Sequence, residues 1–133
     1  MLLIIFLSVL GLLLILFCIL LIYSPGKSKS FLDESGKPLL GSISEKIHIN
    51  INGLEQGMII RSKDATHPVL LYLHGGLPDY FLTKKYPTGL EDYFTVVWWE
   101  RRGSGLSFNA SISPEAITPE QFISDTKEVT NYL

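Results

Sequence analysis

The chain begins with an uninterrupted apolar run. Residues 1–23 carry no charged side chain, and only Ser8 and Gly11 break a series of Leu, Ile, Phe, Val and Cys. About 20 such residues, rising 1.5 Å each, cross a hydrocarbon core about 30 Å thick. A core helix of that length shows a polar face, and this run shows none. A cleaved signal peptide fits less well. No Lys or Arg precedes the run, it exceeds an h-region of roughly 7–15 residues, and no small-x-small site follows it. The pattern predicts a transmembrane signal anchor over residues 1–23, in contact with membrane lipid.

Polarity then rises abruptly. Residues 24–41 hold Pro25, Gly26, Gly36 and Pro38 among serines and charges, with no helical or strand period. This composition predicts a short linker, leaving residues 42–133 as the folded part. Residues 46–52 alternate apolar and polar positions strictly, the mark of a half-buried strand. Asn52-Gly53 tolerates positive φ at both turn positions, so a tight hairpin with a return strand through Met58-Ile59-Ile60 is predicted. Residues 69–73 and 94–99 are continuously apolar, as expected of parallel strands covered on both faces. The connection between them, around 20 residues, suits a right-handed crossover.

The last periodic segment is helical. Thr118 is placed to cap, Pro119 suits the first helical position, and Gln121 completes a capping box. Phe122, Thr126, Val129 and Leu133 fall on one face. A hairpin leading into parallel strands, followed by an amphipathic helix, is an α/β plan. One soluble helix leaves such a sheet partly bare, with an open edge and exposed apolar area.

Charge and cysteine change the picture only a little. A net charge of −2 gives no basic footprint for nucleic acid. The lone Cys18 lies in the apolar run, so no disulfide staples the folded part. Lys27, Lys29 and Lys37 follow the run and none precedes it, which predicts a single-pass protein with its soluble part in the cytoplasm.

Two motifs carry candidate chemistry. His74-Gly75-Gly76 follows the first apolar strand, where glycines let the backbone turn sharply and approach a ligand. Acyl transfer needs backbone N–H groups aimed in advance at a developing oxyanion, each worth about 3–4 kcal/mol of barrier. The bland alternative is a strand-to-loop turn with His74 in the core. Glu100-Arg101-Arg102-Gly103-Ser104-Gly105-Leu106-Ser107 follows the second strand. Gly103 and Gly105 allow a compact loop, and Arg102 offers donors to nearby carbonyls or to a carboxylate such as Glu100. The alternative there is a solvated glycine-rich loop. A phosphate cradle is disfavoured, because no Lys-Ser or Lys-Thr opens a helix behind Gly103. Trp98 and Trp99 alternate across the sheet and are predicted to fill core. No group of His, Cys, Asp and Glu has metal-ligand spacing, so neither a metal nor a cofactor is expected.

On these residues the stretch from about Ile43 to Leu133 resembles the N-terminal part of α/β-hydrolase fold proteins, in their proline iminopeptidase-like branch. That branch reads His-Gly-Gly-Pro-Gly after its third strand and Asp-Gln-Arg-Gly-x-Gly-x-Ser after its fourth. Residues 100–107 match the second pattern with Glu for Asp and Arg for Gln. Residues 74–76 match the first in part, because Leu77-Pro78-Asp79 replaces Pro-Gly.

The resemblance implies an oxyanion-hole N–H from Gly76 or Leu77, with loop support from His74, Gly75, Glu100, Arg102, Gly103 and Gly105. It also implies a Ser, Asp or Glu, His order for the triad, with the nucleophile one strand beyond the last helix. No Gly-x-Ser-x-Gly occurs in the 133 residues. Ser104 and Ser107 sit in no such elbow, and His48 and His67 do not resemble the late histidine. The triad is therefore expected beyond Leu133, and the chain alone is expected to be inactive. The reading is an N-terminal fragment of a membrane-anchored serine hydrolase or aminopeptidase, whose full-length form cleaves a small peptide or ester. A non-catalytic binding module and a gene remnant are the rival readings.

Overall fold

A computed structural model describes residues 2–23, 28–75 and 88–133. The apolar run forms α1 (Leu2–Tyr23). Its segment Ile5–Ile22 is long and apolar enough to cross a membrane, and none of it is buried against the rest of the chain. No charge interrupts it, and its leucines are strong helix formers.

The sheet comes next. β1 (Ile43–Ile51) and β2 (Leu54–Ser62) form the expected hairpin, and Asn52 and Gly53 turn it with φ of 50° and 77°. β3 (Val69–Leu73) and β4 (Thr95–Trp99) pair in parallel. The four strands run in the order β1-β2-β4-β3, so β4 is inserted between the hairpin and β3 and lies antiparallel to β2. This is a mixed α/β arrangement.

The position of β4 follows from its composition. All five of its residues are buried. Its two tryptophans remove roughly 150–250 Å² each from water, about 4–6 kcal/mol of transfer free energy apiece, which outweighs any surface ion pair in the chain. β3 was expected to be covered on both faces, and it is not. It lies at an edge of the sheet among the described residues, with Val69 and Leu73 about half exposed.

The two faces differ in kind. Ile47, Ile49 and Ile51 of β1, Met58 and Ile60 of β2, Val97 and Trp99 of β4 and Leu71 of β3 share one face and meet Val129 of the last helix, α2 (Pro119–Tyr132). The alternate positions of β1, among them Lys46, His48 and Asn50, are exposed. The strict alternation in β1 thus sorts core from solvent as the sequence indicates.

α2 starts as expected, with Thr118 Oγ1 accepting from the Gln121 N–H at 3.2 Å and Pro119 at the first position. The capping box is only half made, because the Gln121 side chain donates instead to Asp125 at 2.9 Å. The buried stripe is likewise shifted: Asp125 and Val129 are buried, Phe122 and Thr126 are partly buried, and Leu133 is exposed. The helix turns a carboxylate inward, a pattern that apolar periodicity cannot reveal.

The described part of the expected linker, residues 28–41, is folded onto the sheet. Asp33 builds a turn by accepting from the N–H groups of Ser35 and Lys37 at 2.9 Å each, and Leu32 bridges Pro38. The Ala65 N–H donates to Gly41 O at 2.8 Å. These bonds pair several backbone groups of an otherwise exposed stretch and fix its course.

Candidate functional site

Parallel pairing sets the C-terminal ends of β3 and β4 side by side, which brings His74 beside Glu100. His74 is buried, and its Nε2 stands 3.6 Å from Glu100 Oε2, 3.5 Å from the Arg101 N–H and 3.4 Å from Ser104 Oγ. One imidazole nitrogen thus gathers the end of β3 and the start of the loop after β4. Burial holds the ring's pKa below its ordinary value; the Glu100 charge opposes that shift and Arg101 adds to it. His74 and Tyr72 both stack on Trp98, with ring centroids 5.9 Å and 4.6 Å away. Trp98 Nε1 in turn donates to Glu100 Oε1 at 2.9 Å.

The glycines of the second motif have specific reasons to be there. Gly105 has φ of +45°, and a Cβ on it would lie 2.6 Å from the Glu100 carboxyl carbon. Only hydrogen leaves room for that buried carboxylate. Gly103 has φ of +77°, with Ile117 3.0 Å from where its Cβ would stand. Ser107 closes the loop. Its buried hydroxyl accepts from the Gly57 N–H at 2.8 Å and donates to Glu100 O, while Glu100 N donates to Gly57 O at 3.0 Å. The serine stands in for a ladder partner where β4 has ended.

Arg102 donates to a carboxylate and a carbonyl, the kinds of partner its sequence context suggests, but the carboxylate is Asp125 rather than Glu100. The loop turns it toward the opposite face, where Nε and Nη2 reach Asp125 at 2.5 Å and 2.9 Å and Nη1 donates to Ala116 O at 3.3 Å. The fork geometry of guanidinium on carboxylate explains why arginine stands there. Asp125 also accepts from Asn52 at 2.7 Å, Gln56 at 3.0 Å and Gln121 at 2.9 Å. Burial would raise its pKa, but the donors from Arg102, Asn52, Gln121 and Gln56 outweigh that and hold it below the ordinary value. Gln56 is itself oriented by the Trp99 Nε1–H at 3.1 Å. Gln56 and Asp125 escaped the sequence reading, since a lone polar residue within an apolar pattern looks like a solvent-facing one.

Of the residues singled out in the sequence, His74, Glu100, Gly103 and Gly105 converge, and Arg102 braces the same loop from behind. Gly75 is exposed, with open space around it. Gly76 and Leu77, the expected oxyanion donors, lie outside the described residues. Among the described residues no group of His, Cys, Asp and Glu is arranged to hold a metal ion. An open apolar hollow of about 500 Å³ lies between Leu73 and the Phe122, Ile123, Thr126 side of α2, with Lys127 as its one titratable group among the described residues.

Comparison with known proteins bears on this arrangement. No family model matches the chain, and no solved structure matches it. A probable aminopeptidase of Bacillus subtilis (strain 168), YbaC, is 42% identical over 94 residues, which cover 69% of this chain. The chain spans about 30% of the length of that relative. The site described above therefore sits in a chain with a peptidase-like relationship.

Proposed function

We propose that this chain forms the N-terminal part of a membrane-anchored α/β-hydrolase of aminopeptidase type, which hydrolyses an ester or amide bond through a serine nucleophile. The observation that carries the reading is the 42% identity to a probable aminopeptidase. Geometry supports it: both motifs lie at the C-terminal ends of adjacent parallel strands, where open α/β sheets bind their ligands. In this reading Gly76 and Leu77 supply one oxyanion donor. His74, Glu100 and the loop of residues 101–107 hold the surrounding backbone, and the triad comes from sequence other than residues 1–133. Residues 1–23 insert in the membrane, and Lys27, Lys29 and Lys37 keep the rest in the cytoplasm.

The test uses the protein as it occurs. Antibody raised against residues 28–133 captures the cellular product, which is sized and treated with a serine-directed fluorophosphonate. The expected product is larger than the 14.9 kDa of this chain and carries one labelled serine. The 133-residue chain expressed by itself stays unlabelled, because it contains no nucleophile elbow. An unlabelled cellular product of 14.9 kDa would favour the non-catalytic module.

A further inference from the structure

Arg61 ties the start of the folded part to one end of the sheet. Its Nη1 donates to Lys29 O at 3.1 Å, Ser28 Oγ at 3.2 Å and Ser44 Oγ at 3.1 Å. Its guanidinium lies 4.5 Å over the Phe31 ring, and its Nε is 3.6 Å from Glu91 Oε1. Ser28 and Ser44 hydroxyls meet at 2.7 Å, and Ser44 Oγ also donates to Lys29 O at 2.6 Å. A cation–π contact plus charge-assisted bonds makes this a strap rather than a loose lead-in.

The strap has a definite place. Arg61 pairs with Val96, near the start of β4. The whole stretch of residues 28–42 stays at that end, where the turns before β3 and β4 also lie. The candidate site is at the other end, beyond Leu73 and Trp99. The hairpin tip at Asn52 is there too, about 30 Å along β1 from Ile43. Between Tyr23, the last residue of α1, and Ser28, chain geometry allows at most about 18 Å even at full extension.

We infer that the end of the sheet at which β3 and β4 begin faces the bilayer, and that the candidate site opens away from it, toward water. This rests on the membrane-anchor reading given above. The chemistry at the two ends fits. Leu40 is 97% exposed, and Leu32 and Tyr93, on segments at the same end, are exposed too, so the near end offers apolar and aromatic side chains to the headgroup region. The far end also exposes apolar side chains, Phe108 and Ile117. Exposure alone does not choose between the ends; the short connection to Ser28 does. The consequence is a substrate class. A site turned to the aqueous side takes a water-soluble peptide or ester, not a lipid drawn from the membrane.

The full chain tests this in phosphatidylcholine vesicles that contain a nickel-chelating lipid as a headgroup quencher. Cys18 is replaced by Ser, since it is the free thiol of the chain. Leu40→Cys and Phe108→Cys are then labelled separately with an environment-sensitive fluorophore. Quenching at position 40 is expected to exceed that at position 108 by about twofold or more. Phe31→Ala removes the ring stacked on Arg61 while leaving every sheet residue unchanged, and is expected to bring the two values together. A chain that does not float with the vesicles overturns the anchor reading, and the inference with it. A chain that floats but is quenched equally at both positions, or more at 108, overturns the orientation alone. An unchanged ratio in Phe31→Ala overturns the role of the strap.

Discussion

At the residue scale, two of the buried titratable groups around the candidate site are His74 and Asp125. Both carry pKa values shifted in the direction that couples folding to pH. His74 resists protonation in the folded state, so the unfolded chain gains stability relative to it once pH falls below 6.5. Asp125 has a depressed pKa, so its contribution is complete above 3.8 and is lost as pH falls through the folded value. The melting temperature of the full chain in detergent micelles is expected to fall in two acid steps. His74→Gln removes the upper step. Asp125→Asn shrinks the lower one, which Asp33 and Asp64 share through carboxylates held by their own turns. At neutral pH, Asp125→Ala strands the Arg102 guanidinium and costs about 3–5 kcal/mol. A single acid transition identical in all three proteins would contradict this account.

At the element scale, β2 and the loop after β4 fit closely. A Cβ on Gly57 would overlap Leu106 Cβ, an atom fixed to the backbone that cannot swing aside, and would press on His48 at 3.1 Å. Gly57→Ala is expected to cost about 1–3 kcal/mol by overpacking, read from urea unfolding. Leu106→Gly in the same chain should recover part of the loss. No recovery would mean that the loop is not seated on β2 as described.

This scale also shows where sequence was legible. Strict alternation in residues 46–52 and the Asn52-Gly53 turn were enough for the hairpin, because both signals are local. The continuous apolar runs at 69–73 and 94–99 revealed strands and their parallel sense. They could not reveal that β4 takes the inner place and β3 an edge, because neighbours are chosen by long-range packing. Nor could they reveal that Arg102 reaches Asp125, 23 positions away in the chain, rather than the nearby Glu100. The glycines at 103 and 105 were legible as turn formers. The demand that Gly105 yield to a buried carboxylate required three dimensions.

At the scale of the whole molecule, apolar surface is left uncovered. Val69 and Leu73 on the β3 edge, Ile123 on α2 and the hollow between them present an apolar strip to solvent among the described residues. Exposed edges and patches of this kind drive association. Residues 28–133 expressed without α1 are expected to self-associate in size-exclusion chromatography and to bind a hydrophobic dye. Charging the strip with Leu73→Lys and Ile123→Lys should reduce both signals. A monodisperse, dye-free sample of the unmodified piece would refute that expectation.

The carboxylate of Asp125 has a consequence for the order in which the chain is made. Its partners Asn52 and Gln56 precede it by 73 and 69 positions. Translation at about 5–20 residues per second therefore produces them roughly 3–15 s before the group that joins them. Throughout that interval Arg102, once synthesised, lacks the carboxylate that it clasps in the fold, and the side-chain amides of Asn52 and Gln56 lack the acceptor that joins them. The hairpin can form on the ribosome as soon as it emerges. Its tie to the loop after β4 through Gly57, Glu100 and Ser107 needs no helix, whereas the bonds of Asn52 and Gln56 to Asp125 wait for α2, which is the last of these elements to lock onto the sheet.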